Sequence, residues 1–185
     1  MVELIRCADT HAGTGFLTTG DLLPVLADNG YAQVAYELLV PRTEPSWMYM
    51  LDHGATTIWE DWQGVDENGD AHESLNHYSK GAVIRFLHTH TLGLRPAPGS
   101  VAWESFEVAP VPHPSLTWAR GSYAPPQGRI EVGWQADGDD IRISVTAPHS
   151  TVAKVVFPDG TTETVTDGSY RASRPWRPPG RGRRR

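Results

Sequence analysis

The sequence predicts a multi-domain fold, α then β, in which a helical region precedes an antiparallel β-sandwich. Apolar residues recur at helical spacing within residues 1–95, whereas they alternate with polar residues within residues 101–166. Between these regions, Pro96, Pro98 and Gly99 interrupt regular structure and mark a domain boundary. The 185 residues are enough for one large or two small domains, and a hydrophobic content of 39% supports packed cores.

Short helices joined by tight turns are expected in residues 1–95. Asp21 is placed to cap a first amphipathic helix, which Asn29-Gly30 would end. Residues 31–40 predict a second helix, and Pro45 is suited to the first turn of a third. Residues 77–92 carry apolar side chains at helical spacing and predict one longer helix.

Strands are expected in residues 101–166. Turn sequences separate the alternating segments, at residues 125–128, 137–139 and 158–160. This spacing of strands and turns is typical of an antiparallel sandwich. The segments that alternate are residues 106–108, 116–118, 129–132, 141–145 and 152–156.

Charge is unevenly distributed along the chain. Residues 171–185 hold seven arginines and no acid, and we expect them to form a disordered basic tail. Residues 1–170 hold the other nine basic side chains and all 22 acidic ones, which gives them a net charge of −13. Such an acidic body does not suit a protein that binds phosphate backbones, so no nucleic-acid partner is predicted. The alternative is that nucleic acid associates with the tail, but the net negative charge of residues 1–170 disfavours it.

The N-terminus and the cysteine content point to a cytoplasmic protein. Cys7 is the only cysteine, so the chain forms no internal disulfide. Residues 1–7 lack the apolar core of a signal peptide, and no apolar run approaches the ~18–20 residues that span a bilayer. A truncated N-terminus would leave the location open. The chain has no glycine-rich phosphate loop, and we expect no cofactor and no membrane contact.

The segment 54–62 has the strongest chemical signal. It places two carboxylates, Glu60 and Asp61, between two indoles, Trp59 and Trp62. In an extended segment the two carboxylates point to opposite faces. Glycosidases use carboxylates for proton transfer, and aromatic rings hold the sugar. The alternative from spacing alone is a surface acidic pair beside two core tryptophans.

The histidines do not predict a metal site. His72, His77, His88 and His90 form no zinc-protease pattern, and the last two lie two residues apart on a predicted helix. His77 follows the polar loop after Trp62, so it is placed to face the same pocket as Glu60.

Six blocks, in this order, resemble bacterial α-L-rhamnosidases. The resemblance covers about residues 5–160. Several blocks in the correct order are more specific than any single block. The blocks are residues 11–17 (HAGTGFL), 45–50 (PSWMYM), 54–60 (GATTIWE), 75–78 (LNHY), 116–120 (LTWAR) and 125–130 (PPQGRI).

The resemblance implies a fold and residue roles. Residues 1–95 would be the last helices of a six-hairpin (α/α)6 barrel, and residues 101–166 the C-terminal sandwich. The family hydrolyses terminal α-L-rhamnose with inversion by means of two carboxylic acids. Glu60 matches its general base and His77 a residue that contacts the sugar. Trp59 would be a sugar platform or a support for the site, and Trp62 would also contact the substrate.

The resemblance also implies an incomplete site. The general acid of the family lies well upstream of these blocks, before the position of Met1, and the connection from Glu60 to His77 is a few residues short. We therefore expect a C-terminal fragment that binds a rhamnosyl glycoside or rhamnose but is inactive alone. A separate chain carrying the N-terminal part of the enzyme is the expected partner. The alternative is a non-catalytic carbohydrate-binding or accessory module.

Overall fold

A computed structural model describes residues 1–177. The chain divides into two compact units, a helical unit that ends at Phe86 and a β-rich unit that begins at Leu87. The division lies before the proline-rich segment expected to mark it, because Leu94–Pro96 already forms a strand of the β-rich unit. None of the helices in the described residues is long and apolar enough to cross a membrane.

The helical unit consists of short helices around a small core. In the third helix, Val34, Ala35 and Leu38 are buried at helical spacing, and Gly30 ends the preceding helix with φ +84°. Tyr36 packs edge-on against Phe86, with ring centroids 5.2 Å apart. The helices are α1 Val2–Cys7, α2 Thr19–Asp28, α3 Ala32–Leu39, α4 Trp47–Asp52, α5 Tyr78–Gly81 and α6 Ile84–Phe86.

Two helix starts differ from the sequence prediction. α2 begins at Thr19, so Asp21 lies inside its first turn and pairs with Arg85 instead of capping the helix. α4 begins after Pro45, because the Ser46 hydroxyl accepts a hydrogen bond from the Tyr49 N–H at 3.0 Å and so caps the helix.

The single helix predicted over residues 77–92 is wrong. The segment forms α5 and α6, followed in the second unit by a π-helical turn, Leu87–Thr91. The wider turn leaves the Thr91 carbonyl to accept a hydrogen bond from the Trp134 indole at 2.7 Å. The periodicity of apolar residues does not predict this tertiary contact.

Two four-stranded sheets form the β-rich unit. Their strand orders are β1-β2-β6-β7 and β3-β4-β5-β8. All pairs are antiparallel except β2 with β6, which corrects the expectation of a purely antiparallel sandwich. The strands are β1 Leu94–Pro96, β2 Ser105–Val108, β3 Trp118–Tyr123, β4 Ile130–Asp137, β5 Asp140–Ala147, β6 Val152–Val156, β7 Thr162–Val165 and β8 Gly168–Pro175.

Inward-facing side chains of both sheets form one core. Alternation places every second residue of β4 and β5 in this core, as the sequence pattern predicts. Members with less than 3% exposure include Leu94, Phe106, Val108, Ile130, Trp134, Ile141, Ile143, Val145, Ala153, Val155 and Phe157.

Residues 171–175 belong to β8, so the predicted disordered tail is wrong for this part of the chain. Its inward-facing Arg174 pairs with Glu163 at 2.7 Å and lies over the Phe157 ring at 5.1 Å. Hydrogen bonds to β5 and these contacts offset the lack of apolar side chains. Residues 178–185 of the predicted tail lie outside the described residues.

Candidate functional site

Backbone hydrogen bonds close the loop of residues 61–73 at its base. The Glu60 N–H donates to the Ser74 carbonyl at 2.8 Å, and the His77 N–H donates to the Ile58 carbonyl at 2.8 Å. The Thr57 hydroxyl donates to the Leu75 carbonyl. Two residues 17 positions apart, Glu60 and His77, are therefore held side by side, although residues 55–60 form no strand.

The interior of this loop packs on Trp59, which is only 4% exposed. Gly64 lies against the indole with φ +66°, so closely that a Cβ at this position would lie 1.8 Å from the Trp59 ring. At the loop tip the Asp66 carboxylate accepts hydrogen bonds from the N–H groups of Asn68 and Asp70, each at 2.9 Å. The backbone hydrogen bond from Asp70 holds the pKa of Asp66 below its ordinary value.

Glu60 and His77 form the centre of the candidate site. His77 Nε2 lies 3.9 Å from Glu60 Oε1, and the two side chains are 20% and 23% exposed. Nδ1 of His77 accepts a hydrogen bond from the Ser79 N–H at 3.3 Å. Because a backbone N–H only donates, the neutral ring carries its proton on Nε2, and the hydrogen-bond network thus assigns a donor that faces the carboxylate.

Lys80 lies under the same site and is 5% exposed. Its ammonium donates to the Glu60 carbonyl and lies 4.7 Å from the Trp62 ring centroid and 5.5 Å from that of Phe16. Burial lowers the pKa of Lys80, while the charges of Asp61 and Glu60 oppose that shift. The backbone of Glu60 is thereby held at both its N–H and its C=O.

Aromatic rings form the walls of the site. Trp62 packs edge-on against Trp47 at 5.1 Å, and the Trp47 indole donates to the Lys80 carbonyl at 2.9 Å. Phe16 lies 5.0 Å from the His77 ring, and the Ser79 hydroxyl donates to the Phe16 carbonyl at 3.1 Å. A half-buried carboxylate, a ring N–H donor and aromatic surfaces suit the binding of a sugar next to a proton acceptor.

The structure separates the residues predicted for the site. It brings Glu60, His77 and Trp62 together. For Trp59, burial favours support of the loop over stacking on a sugar. The Asp61 carboxylate accepts a hydrogen bond from the Gln63 N–H at 2.9 Å, which turns it towards its own loop.

Sequence reasoning missed Lys80 and Phe16. Both reach the site through contacts across long stretches of chain, and neither stands in a charged or aromatic pattern that would have singled it out. Phe16 lay within a recognised block, at residues 11–17, and that was its only signal. Within residues 1–177, no group of three or more His, Cys, Asp or Glu side chains is arranged to hold a metal ion.

Two family models match the chain. The bacterial α-L-rhamnosidase six-hairpin glycosidase domain matches residues 1–91, and the bacterial α-L-rhamnosidase C-terminal domain matches residues 93–172. The two matches meet close to the division between the helical unit and the sandwich.

Individual proteins give the same assignment. α-L-Rhamnosidases of Streptomyces avermitilis and an Alteromonas species are 37% and 38% identical to the chain, each over 85% of it, and the chain spans 16% and 17% of their lengths. The crystal structure of the Streptomyces avermitilis enzyme complexed with L-rhamnose aligns with a TM-score of 0.85 at 33% identity, over 93% of this chain and 19% of that one. The chain spans about a sixth of the length of these curated relatives, and its matches include the C-terminal domain of the family. It belongs to the bacterial α-L-rhamnosidase family.

Proposed function

We propose that Glu60 is the general base of an inverting α-L-rhamnosidase site and that this chain supplies the part of the site that carries the base. The observation that supports this role is the pairing of the half-buried Glu60 carboxylate with the Nε2–H of His77 at 3.9 Å. Ser74 and Lys80 fix the Glu60 backbone on both sides, so the carboxylate has a defined position relative to a bound sugar.

In this mechanism the Glu60 carboxylate accepts a proton from the attacking water. His77 donates its Nε2–H to a sugar hydroxyl, and Trp62 and Phe16 form the apolar sides of the subsite. An inverting site needs its two carboxyl groups roughly 6.5–9.5 Å apart, which leaves room for the water. Asp61 is adjacent to the base and bonded to its own loop, so we place the general acid in a segment outside these 185 residues.

Exposed apolar side chains of the helical unit support completion of the site by further protein. Leu17 is 88% exposed and follows Phe16, whose ring contacts His77. Tyr78 is 70% exposed, and its own ring contacts His77. Leu4 and Ile84 are 74% and 62% exposed. We propose that the remainder of the glycosidase domain, on a separate chain or on the same one, covers this surface.

The first test measures the 185-residue chain alone. A general acid contributes roughly 10²–10⁴-fold to such a reaction, and absence of the sugar contacts made by the rest of the glycosidase domain costs more. We expect negligible hydrolysis of 4-nitrophenyl α-L-rhamnoside. Clear turnover that Glu60→Gln abolishes would contradict the placement of the acid outside this chain.

The second test supplies the missing part. A chimera joins this chain to the part of the Streptomyces avermitilis relative that precedes the matching segment, in place of that segment. Glu60→Gln is expected to lower kcat by roughly 10²–10⁴-fold, while Asp61→Asn, the matched control, changes it little. Proton NMR of the first product anomer reports inversion. Hydrolysis that survives Glu60→Gln at full rate would sink the assignment.

The alternative, a non-catalytic carbohydrate module, is not favoured by the comparisons, because a glycosidase domain model matches residues 1–91. Titration of the chimera's Glu60→Gln variant with rhamnose separates the two roles. A catalytic site that has lost only its base retains rhamnose binding while hydrolysis is lost.

A further inference from the structure

The outer face of the β3-β4-β5-β8 sheet contains a shallow groove that the proposed rhamnosidase chemistry does not use. Its volume is about 660 Å³. We define the arginine groove as the part of this face around Gly133 and Ser144 that is flanked by Arg120, Arg142 and Arg171. A second cavity of about 160 Å³ on the same face is lined by all five of these residues.

Strand register explains why a groove exists at this point. Arg120 pairs with Gly133, Gly133 pairs with Ser144, and Ser144 pairs with Arg171, so one row crosses all four strands. The two central positions carry the smallest side chains and the two outer positions carry long ones. A Cβ at Gly133 would come within 3.3 Å of both Arg120 Cγ and Ser144 Oγ, so glycine is what keeps the floor open. With strands about 4.8 Å apart, the row is about 14 Å long.

Arg142 places a third positive charge next to this row. It pairs with Ser173 and is therefore a diagonal neighbour of Arg171, at a Cα distance of about 7–8 Å. Within residues 1–177, no carboxylate forms an ion pair with Arg120, Arg142 or Arg171. Like charges this close repel each other unless an anion lies between them, so the groove favours a negatively charged ligand.

Acidic residues of the same face do not neutralise these arginines. Glu131 is paired with Arg129 at 2.9 Å. Asp137 and Asp140 lie opposite each other at the hairpin end of the face, and neither forms an ion pair with Arg142 in the described part of the chain. The three guanidinium groups therefore remain available to a ligand.

An exposed aromatic ring indicates which kind of anion fits. Trp118, which lines an adjoining cavity together with Arg120 and Gln135, is 60% exposed, and Arg120 lies 5.9 Å from its ring. Guanidinium groups bind carboxylate and sulfate through paired N–H donors, and an exposed indole stacks on a sugar ring. Hydroxyl groups of Ser122, Thr146 and Ser169 add neutral hydrogen-bonding partners along the face.

We propose that the arginine groove binds an acidic glycan, whose sugars carry carboxylate or sulfate groups. The groove lies within the sandwich unit. Glycan binding there is independent of whether Glu60 acts as a general base. The length of the row suits an oligosaccharide better than a single ring. The competing occupant is an acidic protein segment. If it were the true ligand, none of the acidic glycans would bind.

Isothermal titration of the 185-residue chain tests the proposal with three probes of equal length: hexagalacturonate, a chondroitin sulfate hexasaccharide and maltohexaose. We expect at least one acidic probe to bind and the neutral probe not to bind. The two acidic probes distinguish carboxylate from sulfate recognition. Because the contacts are ionic, the affinity for the acidic probe should fall as sodium chloride is raised.

Variants locate the binding. Arg142→Gln with Arg171→Gln should weaken the acidic probe by about tenfold or more, since each arginine contributes charged hydrogen bonds. Arg85→Gln removes one arginine from the helical unit, where it pairs with Asp21, and should leave the affinity unchanged. Trp118→Ala should weaken binding by a smaller factor. An unchanged thermal midpoint confirms that each exposed substitution leaves the fold intact.

Three results would overturn the proposal. They are failure of both acidic probes to bind at millimolar concentration, equal affinity for maltohexaose, and binding that the double arginine variant does not weaken. None of them bears on the hydrolysis measured with the chimera, so failure of this site and failure of the Glu60 assignment are distinguishable.

Discussion

The sandwich and the helical unit differ in how they cover their apolar side chains. In the sandwich, two sheets face each other, and Phe106 and Val108 of one lie in the same core as Ile143 and Val145 of the other. Each sheet therefore covers the other, and the alternation of β4 and β5 assigns every residue to an inner or an outer face.

The helical unit covers its side chains less completely. Leu23, Leu26 and Met50 are buried, but Leu4 and Leu17 remain 74% and 88% exposed. Paired helices present an apolar stripe that another helix must cover, and short helices have little surface for this. The candidate site lies in the unit with the less complete cover. The further protein that we propose completes the site would therefore also cover this apolar surface.

Truncation in the two units is expected to give the largest contrast. Ile143→Ala creates a cavity in a closed core and should reduce the free energy of unfolding by about 2–5 kcal/mol. Leu17→Ala removes a similar volume from an exposed position and should change it by less than about 0.5 kcal/mol. Urea unfolding combined with hydrogen exchange, read on peptides of each unit, measures both. A loss for Leu17→Ala as large as that for Ile143→Ala would contradict the difference in how the two units cover their apolar side chains.

The same contrast explains which parts of the fold the sequence could predict. Alternation and turn residues located β4 and β5, because both depend on neighbours in sequence. The strand β8 was missed, because the arginines of residues 171–175 resemble a solvated tail in composition, whereas Arg174 is stabilised by Glu163 and Phe157 from other strands. The helix over residues 77–92 failed for a similar reason, since the Thr91–Trp134 contact is tertiary.

Substitution of loop glycines should test how firmly the Glu60 loop is held. Gly64→Ala places a Cβ 1.8 Å from the Trp59 ring at φ +66°, and we expect a loss of about 2–4 kcal/mol from strain and overpacking. Gly69→Ala, in the same loop at φ +84°, meets open space and should cost about 1 kcal/mol from strain alone. The difference in unfolding free energy of the helical unit checks this. Equal losses would show that Trp59 does not support the loop.

The sequence singled out Glu60 and His77 of the candidate site but not the side chains that hold them. Glu60 and His77 stand in recognisable blocks, and the loop between them has a length that lets its ends meet. Lys80 carries no such signal, because its role depends on a ring from the N-terminal segment, Phe16, and on a carbonyl 20 residues earlier. Local sequence singles out the proposed reacting groups, whereas tertiary contacts determine what holds them.

The two lysines of the chain provide a matched pair, one in each unit. Lys80→Met removes the hydrogen bond to the Glu60 carbonyl and the contacts with Trp62 and Phe16, and it should reduce the stability of the helical unit by about 1–2 kcal/mol. Lys154→Met removes an exposed pair with Glu107 at 3.6 Å and should cost less than about 1 kcal/mol. Acetylation of the native chain should modify Lys154 first. Equally rapid modification of Lys80 would contradict its burial.

The smallest expected effect is a pH dependence that Lys80 gives to the helical unit. Burial lowers the pKa of Lys80 in the folded chain below its ordinary value of 10.5, so the unfolded chain binds this proton more tightly. The cost of burying the charge is therefore present in full below the folded pKa. It disappears as pH rises from the folded pKa towards 10.5, so stability should rise across this window. The urea midpoint of the native chain relative to that of Lys80→Met should therefore increase between pH 7 and pH 10, because only the native chain carries this titrating group. A native chain whose stability relative to Lys80→Met does not rise with pH would show that the Lys80 ammonium remains fully hydrated in the folded state.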